Sequence, residues 1–143
     1  MRITITTLVE QDYDTVYERF DRDLFEALAP PLLPLKLLRF DGSRTGDEVH
    51  IAIGPMRWDA LITDHGRSPS ENYFVDKGTQ LPFFLKTWEH HHRILKDGTG
   101  SRIVDDIRYT TPFGRLGDAI FYPILYMQFA ARKPVYRRYF SRS

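Results

Sequence analysis

The chain has 143 residues and no cysteine, which excludes disulfides and thiolate metal sites. Twenty basic residues against nineteen acidic ones leave a formal charge of +1, which argues against nucleic-acid binding by bulk electrostatics. The length is that of a single domain, 1–143, and such a domain buries about 68–70% of its unfolded surface, enough for a core without covalent staples. The longest apolar stretch, Ala119 to Ala131, is interrupted by Pro123 and Gln128 and is too short for an integral membrane segment. The N-terminal run alternates Arg2-Ile3-Thr4-Ile5-Thr6 and lacks the continuous apolar core of a signal peptide, so the expected compartment is cytoplasmic. Aromatics reach 14% of the chain, and large rigid rings serve both to fill a core and to line a pocket.

Residues 2–9 alternate and predict a strand. Asp12 or Asp14 is placed to cap a short helix through Phe20, and Asp21 or Asp23 a second one carrying Leu24, Phe25, Ala27 and Leu28. Pro30, Pro31 and Pro34 end it, since proline lacks an amide and restricts the residue before it. Strands are then expected at Leu35–Phe40, Glu48–Ile53, Arg57–Asp64 and Tyr73–Asp76, followed by a long hairpin of Lys86–Lys96 and Ser101–Thr111. Pro112-Phe113-Gly114 breaks the sheet, and a helix is expected from about Leu116 to Phe140. Strand, two short helices, six strands and a long helix make an α+β order, not alternating βαβ units.

On that last helix Leu116, Ile120, Ile124, Met127 and Ala131 form one apolar stripe, with Phe121, Leu125 and Phe129 on another side. Pro123 and Pro134 are each expected to kink it. Its end is basic, with Arg132, Lys133, Arg137, Arg138 and Arg142, which complements the helix dipole and also suits peripheral contact with anionic lipid or an acidic partner.

The hairpin is the most informative stretch. Asp97-Gly98-Thr99-Gly100 joins its strands, and a short turn there gives a register in which partner numbers sum to 197. Glu89 then faces Arg108 and His91 faces Asp106 on one side. On the other, Trp88 meets Tyr109, His90 meets Ile107, His92 meets Asp105 and Ile94 meets Ile103. Opposite charges and apolar pairs thus segregate by face, as cross-strand pairing prefers. A three-residue loop would set Ile94 opposite Arg102.

Three of the eight inward residues are polar, and buried polar groups need partners. His92 and Asp105 satisfy one another in this register. Such a pair serves as a core register lock, as an anchor for a ligand, or as general acid–base equipment. The His90-His91-His92 run also raises a metal site. Alternation sends His91 to the opposite face, however, and no zinc spacing motif accompanies the other two, so no metal is expected.

The pattern Asp76…Pro82-Phe83…Trp88-x-His90-x-His92, then Gly100…Ile103-x-Asp105-x-Ile107-x-Tyr109-x-x-Pro112-x-Gly114, resembles the SRPBCC superfamily, which contains the START, Bet v 1-like and polyketide cyclase/dehydrase-like proteins. The likeness is greatest to its uncharacterised bacterial ligand-binding branch and extends to Tyr126, Phe129, Arg132 and Tyr139-Phe140 near the C-terminus. The Phe83-to-Trp88 spacing, through Phe84-Leu85, is longer than the commoner pattern of that branch. The resemblance implies a helix-grip fold: a curved seven-stranded antiparallel sheet around a long C-terminal helix, with a cavity between them. No cofactor is expected.

The function expected on this basis is binding of an apolar or aromatic small molecule, lipid- or polyketide-like. Trp58, Tyr73, Trp88, Tyr109, Phe121 and Met127 are candidate wall residues, and His90, His92 and Asp105 are candidate polar anchors. One alternative is a cyclase- or dehydratase-type enzyme with His92 as base and Asp105 orienting it. Another is an interaction protein whose output is its basic C-terminal helix end.

Overall fold

The structure, a computed structural model, describes residues 1–29 and 35–142. The stop expected at Pro30, Pro31 and Pro34 lies outside the described residues.

Alternation in the first segment becomes β1 (Arg2–Val9), with Ile3, Ile5, Thr7 and Val9 buried. Two short helices follow. At α1 (Tyr13–Glu18) the Asp12 carboxylate accepts the Thr15 amide at 3.1 Å, and at α2 (Arg22–Ala27) the Asp21 carboxylate accepts the Leu24 amide at 2.9 Å. Of the two aspartates available at each start, the upstream one caps, because it alone stands before the first turn on extended backbone.

The other strands are β2 (Leu35–Phe40), β3 (Glu48–Ile53), β4 (Met56–Arg67), β5 (Glu71–Gln80), β6 (Thr87–Asp97) and β7 (Gly100–Thr110). They form one sheet in the order β1-β7-β6-β5-β4-β3-β2, every neighbouring pair antiparallel. The strand expected at Tyr73–Asp76 is longer because the residues on both sides of it find ladder partners on β4 and β6. Register shifts between Leu37 and Arg39, Asp59 and Ala60, and Ile62 and Asp64 mark bulges, which bend strands and raise their twist. The sheet curls accordingly.

The β6–β7 hairpin has the expected register, from Thr87 opposite Thr110 to Asp97 opposite Gly100. Gly98 has φ 58°, the positive value that a type II′ hairpin turn demands at its first central position.

The C-terminal segment corrects two expectations. It is two helices, α3 (Gly114–Ala130) and α4 (Lys133–Tyr139), and α3 runs through Pro123 without a break. The chain reorients at Ala131-Arg132, which puts Pro134 in the first turn of α4, where a missing amide costs no hydrogen bond. Met127, expected in the cavity wall, is outside together with its stripe: Leu116, Ile120, Ile124 and Met127 are 57–74% exposed, while Gly117, Asp118, Leu125 and Phe129 are buried.

Contacts at the helix start set this rotation. The Asp118 carboxylate accepts the Thr111 amide at 2.6 Å, and its carbonyl accepts the Tyr109 hydroxyl at 2.7 Å. Gly117 lies so close that a Cβ there would sit 2.5 Å from Phe113 Cβ and Thr111 Oγ1. These contacts clamp the Gly117–Asp118 face to the end of β7 and turn Leu116 and Ile120 outward.

Two apolar clusters fill the grip. One joins α1, α2 and α4 to the sheet through Val16, Phe20, Leu24, Phe74, Ile103 and Tyr136. The other joins α3 to it through Trp58, Trp88, Ile107, Tyr109, Leu125 and Phe129. Leu125, 1% exposed, is the central helix contribution to the second. Leu125→Ala is expected to cost about 2–5 kcal/mol, by lost burial plus an unfilled cavity, measured as a drop in the urea midpoint at unchanged slope.

Candidate functional site

A polar layer separates the two clusters. Along β6 the inward residues run Trp88, His90, His92, Ile94, and along β7 they run Tyr109, Ile107, Asp105, Ile103, so the polar members meet in mid-strand. β5 adds Asp76, directly opposite His90.

The partners are diagonal rather than facing. His90 Nε2 lies 2.8 Å from Asp105 Oδ1, and His92 Nε2 lies 2.6 Å from Asp76 Oδ2. The expected His92–Asp105 pair is therefore corrected: the residues do face one another in register, but His92 Nδ1 stands 3.9 Å from Asp105 Oδ1. The imidazoles stack at 3.6 Å with planes 24° apart, and Phe74 stacks on His92 at 4.1 Å. Stacking pushes each ring toward the carboxylate on the opposite flank.

Burial pushes both carboxyls up, but this is outweighed. Hydrogen bonding and charge from His92, with His90 and Arg132 beyond, hold Asp76 below the ordinary carboxylate range. His90, Arg132 and His92 do the same for Asp105. Burial, then the neighbouring His90, pulls His92 down to about 4, so at neutral pH its single proton sits on Nε2 and is donated to Asp76. Its Nδ1, together with Asp105 Oδ2 and the Tyr136 hydroxyl, is buried without a hydrogen-bond partner among the described residues.

Asp76, His90 and His92 place ligand-type atoms within 4.8 Å of one another. Nearly parallel stacked rings, however, aim their in-plane lone pairs side by side, whereas a tetrahedral metal shell needs them to converge. Both Nε2 atoms are also engaged by carboxylates. The arrangement is a hydrogen-bonded box.

Beside the box lies a cavity of about 90 Å³, walled by Leu28, Ile51, Trp58, Trp88 and Phe129 among others, with Asp76, His90, His92, Gln128 and Arg132 as its main polar lining. Of the residues singled out in the sequence, Trp58, Trp88, His90 and His92 border it. Asp105 sits behind His90. Tyr109 is sealed in the α3 cluster with its hydroxyl on Asp118. Phe121 stacks on Phe84 away from the cavity, Met127 is 71% exposed, and Tyr73 lies on the outer face, bonded to Asp64 and set against the His91 ring.

Asp76, Gln128 and Arg132 are polar lining residues that the sequence reading did not name as anchors, although the family pattern contains the first and last of them. Leu125, Phe129, Arg132 and Tyr136 recur at spacings of four, three and four, a stripe that would have turned Arg132 inward.

No protein-family profile matches the chain, and no curated protein matches it in sequence. Solved structures do match. An uncharacterised protein from Bacillus thuringiensis superposes with a TM-score of 0.71 at 11% identity over 98% of both chains. Norcoclaurine synthase from Thalictrum flavum, in complex with a transition-state analogue, has a TM-score of 0.63 at 13% identity, covering 94% of this chain and 93% of its own. The fold is that of the Bet v 1-like SRPBCC proteins. A nucleoside-diphosphate sugar epimerase from Corynebacterium glutamicum contains the same helix-grip fold, with a TM-score of 0.64 at 18% identity; the match covers 91% of this chain but only 30% of the epimerase.

The helix-grip interior makes stability depend on pH with a definite sign. Asp76 and Asp105 contribute stability above the ordinary carboxylate range and lose it as pH falls through their lowered values. His92 is neutral in the fold where the unfolded imidazole, near 6.5, is already charged, so protonation favours the unfolded chain from pH 6.5 down to about 4. Urea midpoints are expected to fall steadily from pH 7 to pH 4. His92→Gln should flatten the limb above pH 4 and leave the carboxylate limb below it.

Proposed function

We propose that the chain binds an apolar or aromatic small molecule, lipid- or polyketide-like, between the sheet and α3, with the ligand's polar end at the His–Asp–Arg132 layer. It does so as one domain, residues 1–143, working in the cytoplasm without a cofactor. The supporting observation is a mainly apolar cavity whose polar lining includes the His–Asp–Arg132 layer, since small-molecule sites use a few polar groups to fix orientation. Both tryptophans of the chain stand in its wall, edge to face at 4.7 Å. The transition-state analogue in the Thalictrum structure adds support at the level of fold alone.

Size constrains the reading. A dry cavity of about 150 Å³ takes benzene, and drug-sized ligands occupy about 300–1,000 Å³. The space here, about 90 Å³, seats the end of such a molecule, and a whole one requires the wall to yield. Catalysis by His92 is the weaker reading: an imidazole pulled down to about 4 is a poor general base near neutral pH.

Occupancy is expected to alter the emission of Trp58 and Trp88 and to raise the melting temperature. At a ligand concentration of about one hundred times Kd the stabilisation is about 2.7 kcal/mol. A fatty-acid and aromatic-polyketide panel read by fluorescence and thermal melting tests this. Ile51→Trp, which fills the half-buried wall, should abolish both responses. A panel that moves neither signal, with a clean apo mass in native mass spectrometry of gently purified protein, overturns the proposal.

A further inference from the structure

The outer side of α3 is an uncharged apolar surface. Leu116, Ile120, Ile124 and Met127 recur at spacings of four, four and three, so they share one helix face, and they are 74, 57, 60 and 71% exposed. Ala119 and Pro123 between them are also exposed. At the start of the helix the surface widens. Phe113, 56% exposed, stacks against Phe121, which stacks on Phe84, whose ring meets Phe83, itself 71% exposed. Isolated exposed apolar residues are ordinary; a contiguous stripe with aromatic rings at one end marks a contact surface.

The charges around it say what the contact is. Arg115 stands exposed before the stripe, and Lys133, Arg137 and Arg138 lie beyond its far end, half-buried or exposed. Between Phe113 and Arg142 the only acidic residue is Asp118, and it is buried against Thr111. A second copy of the chain packed on this stripe would bring cations against cations in either orientation, parallel or antiparallel. An anionic lipid surface meets both ends with opposite charge and takes the apolar face in between, as interfacial helices do.

We propose that α3 docks the protein on anionic membranes, with Leu116, Ile120, Ile124 and Met127 in the acyl boundary and Arg115, Lys133, Arg137 and Arg138 among the headgroups. No helix among the described residues is long and apolar enough to cross a bilayer, so the contact is peripheral. It stands on the outer face of the helix and does not depend on what the cavity holds.

The test is co-sedimentation of the full chain with vesicles of phosphatidylcholine mixed with phosphatidylglycerol, against pure phosphatidylcholine. Binding is expected to be about tenfold or more stronger to the anionic vesicles and to weaken as salt screens the headgroups. Ile120→Glu with Ile124→Glu should abolish it on both vesicles. Arg137→Glu with Arg138→Glu should remove only the anionic preference. Both pairs alter exposed side chains, so an unchanged circular dichroism spectrum and melting temperature establish that the fold survives. Failure to sediment with anionic vesicles, or sedimentation that the Ile120/Ile124 variant retains, overturns the proposal. So does a concentration-dependent dimer that the same variant dissociates while vesicles bind nothing.

Discussion

Asp76 and Asp105 are ionised groups taken out of water, and an ion so placed costs several kcal/mol unless charge and hydrogen bonds meet it. Two imidazoles on one strand and a guanidinium from the helix break supply that compensation. The box therefore holds its three strands in one alignment. A slip of one residue along β6 would point His90 and His92 to solvent, carry Glu89, His91 and Arg93 into the core, and leave both carboxylates without donors. Apolar pairs alone, such as Ile94 with Ile103, would resist that slip less strongly, since one aliphatic contact resembles another.

The same layer accounts for the shape of the C-terminal segment. Phe129 belongs to the α3 cluster and Tyr136 to the cluster of α1, α2 and α4, and the chain reorients between them at Ala131-Arg132. Arg132 thus arrives over the carboxylates at the point where the helices change direction. Interior polarity, helix break and cavity lining are three views of one level in the molecule.

Much of this was legible in the residues. The alternation of β1, both aspartate caps and the hairpin register follow from local patterns with strong physical causes, and the structure keeps all three. The partners of the histidines were not legible. Facing position decides which side chains are neighbours, but ring stacking between His90 and His92 decides which carboxylate each one reaches, and Asp76 enters from a strand whose register no turn in the sequence fixes. The rotation of α3 failed for a similar reason. The apolar pattern offers two faces and does not choose between them, whereas one buried carboxylate and one glycine at the end of β7 do. Trp88 was found in the cavity wall because inward position and ring size point the same way there; Trp58, Tyr73 and Met127 had only ring size or apolarity to recommend them, and of these Trp58 alone borders the cavity.

The pairing of β1 with β7, Ile3 opposite Ile107, has a consequence for how the molecule is made. During synthesis β1 emerges roughly a hundred residues before β7, its one sheet neighbour among the described residues, and contacts of such long sequence separation form late and slowly. For that interval a strand of alternating isoleucine and threonine, with Arg2 as its one charge, has both edges unpaired. The ribosome-bound chain is thus open to wrong association at β1, and release of β7 closes that window.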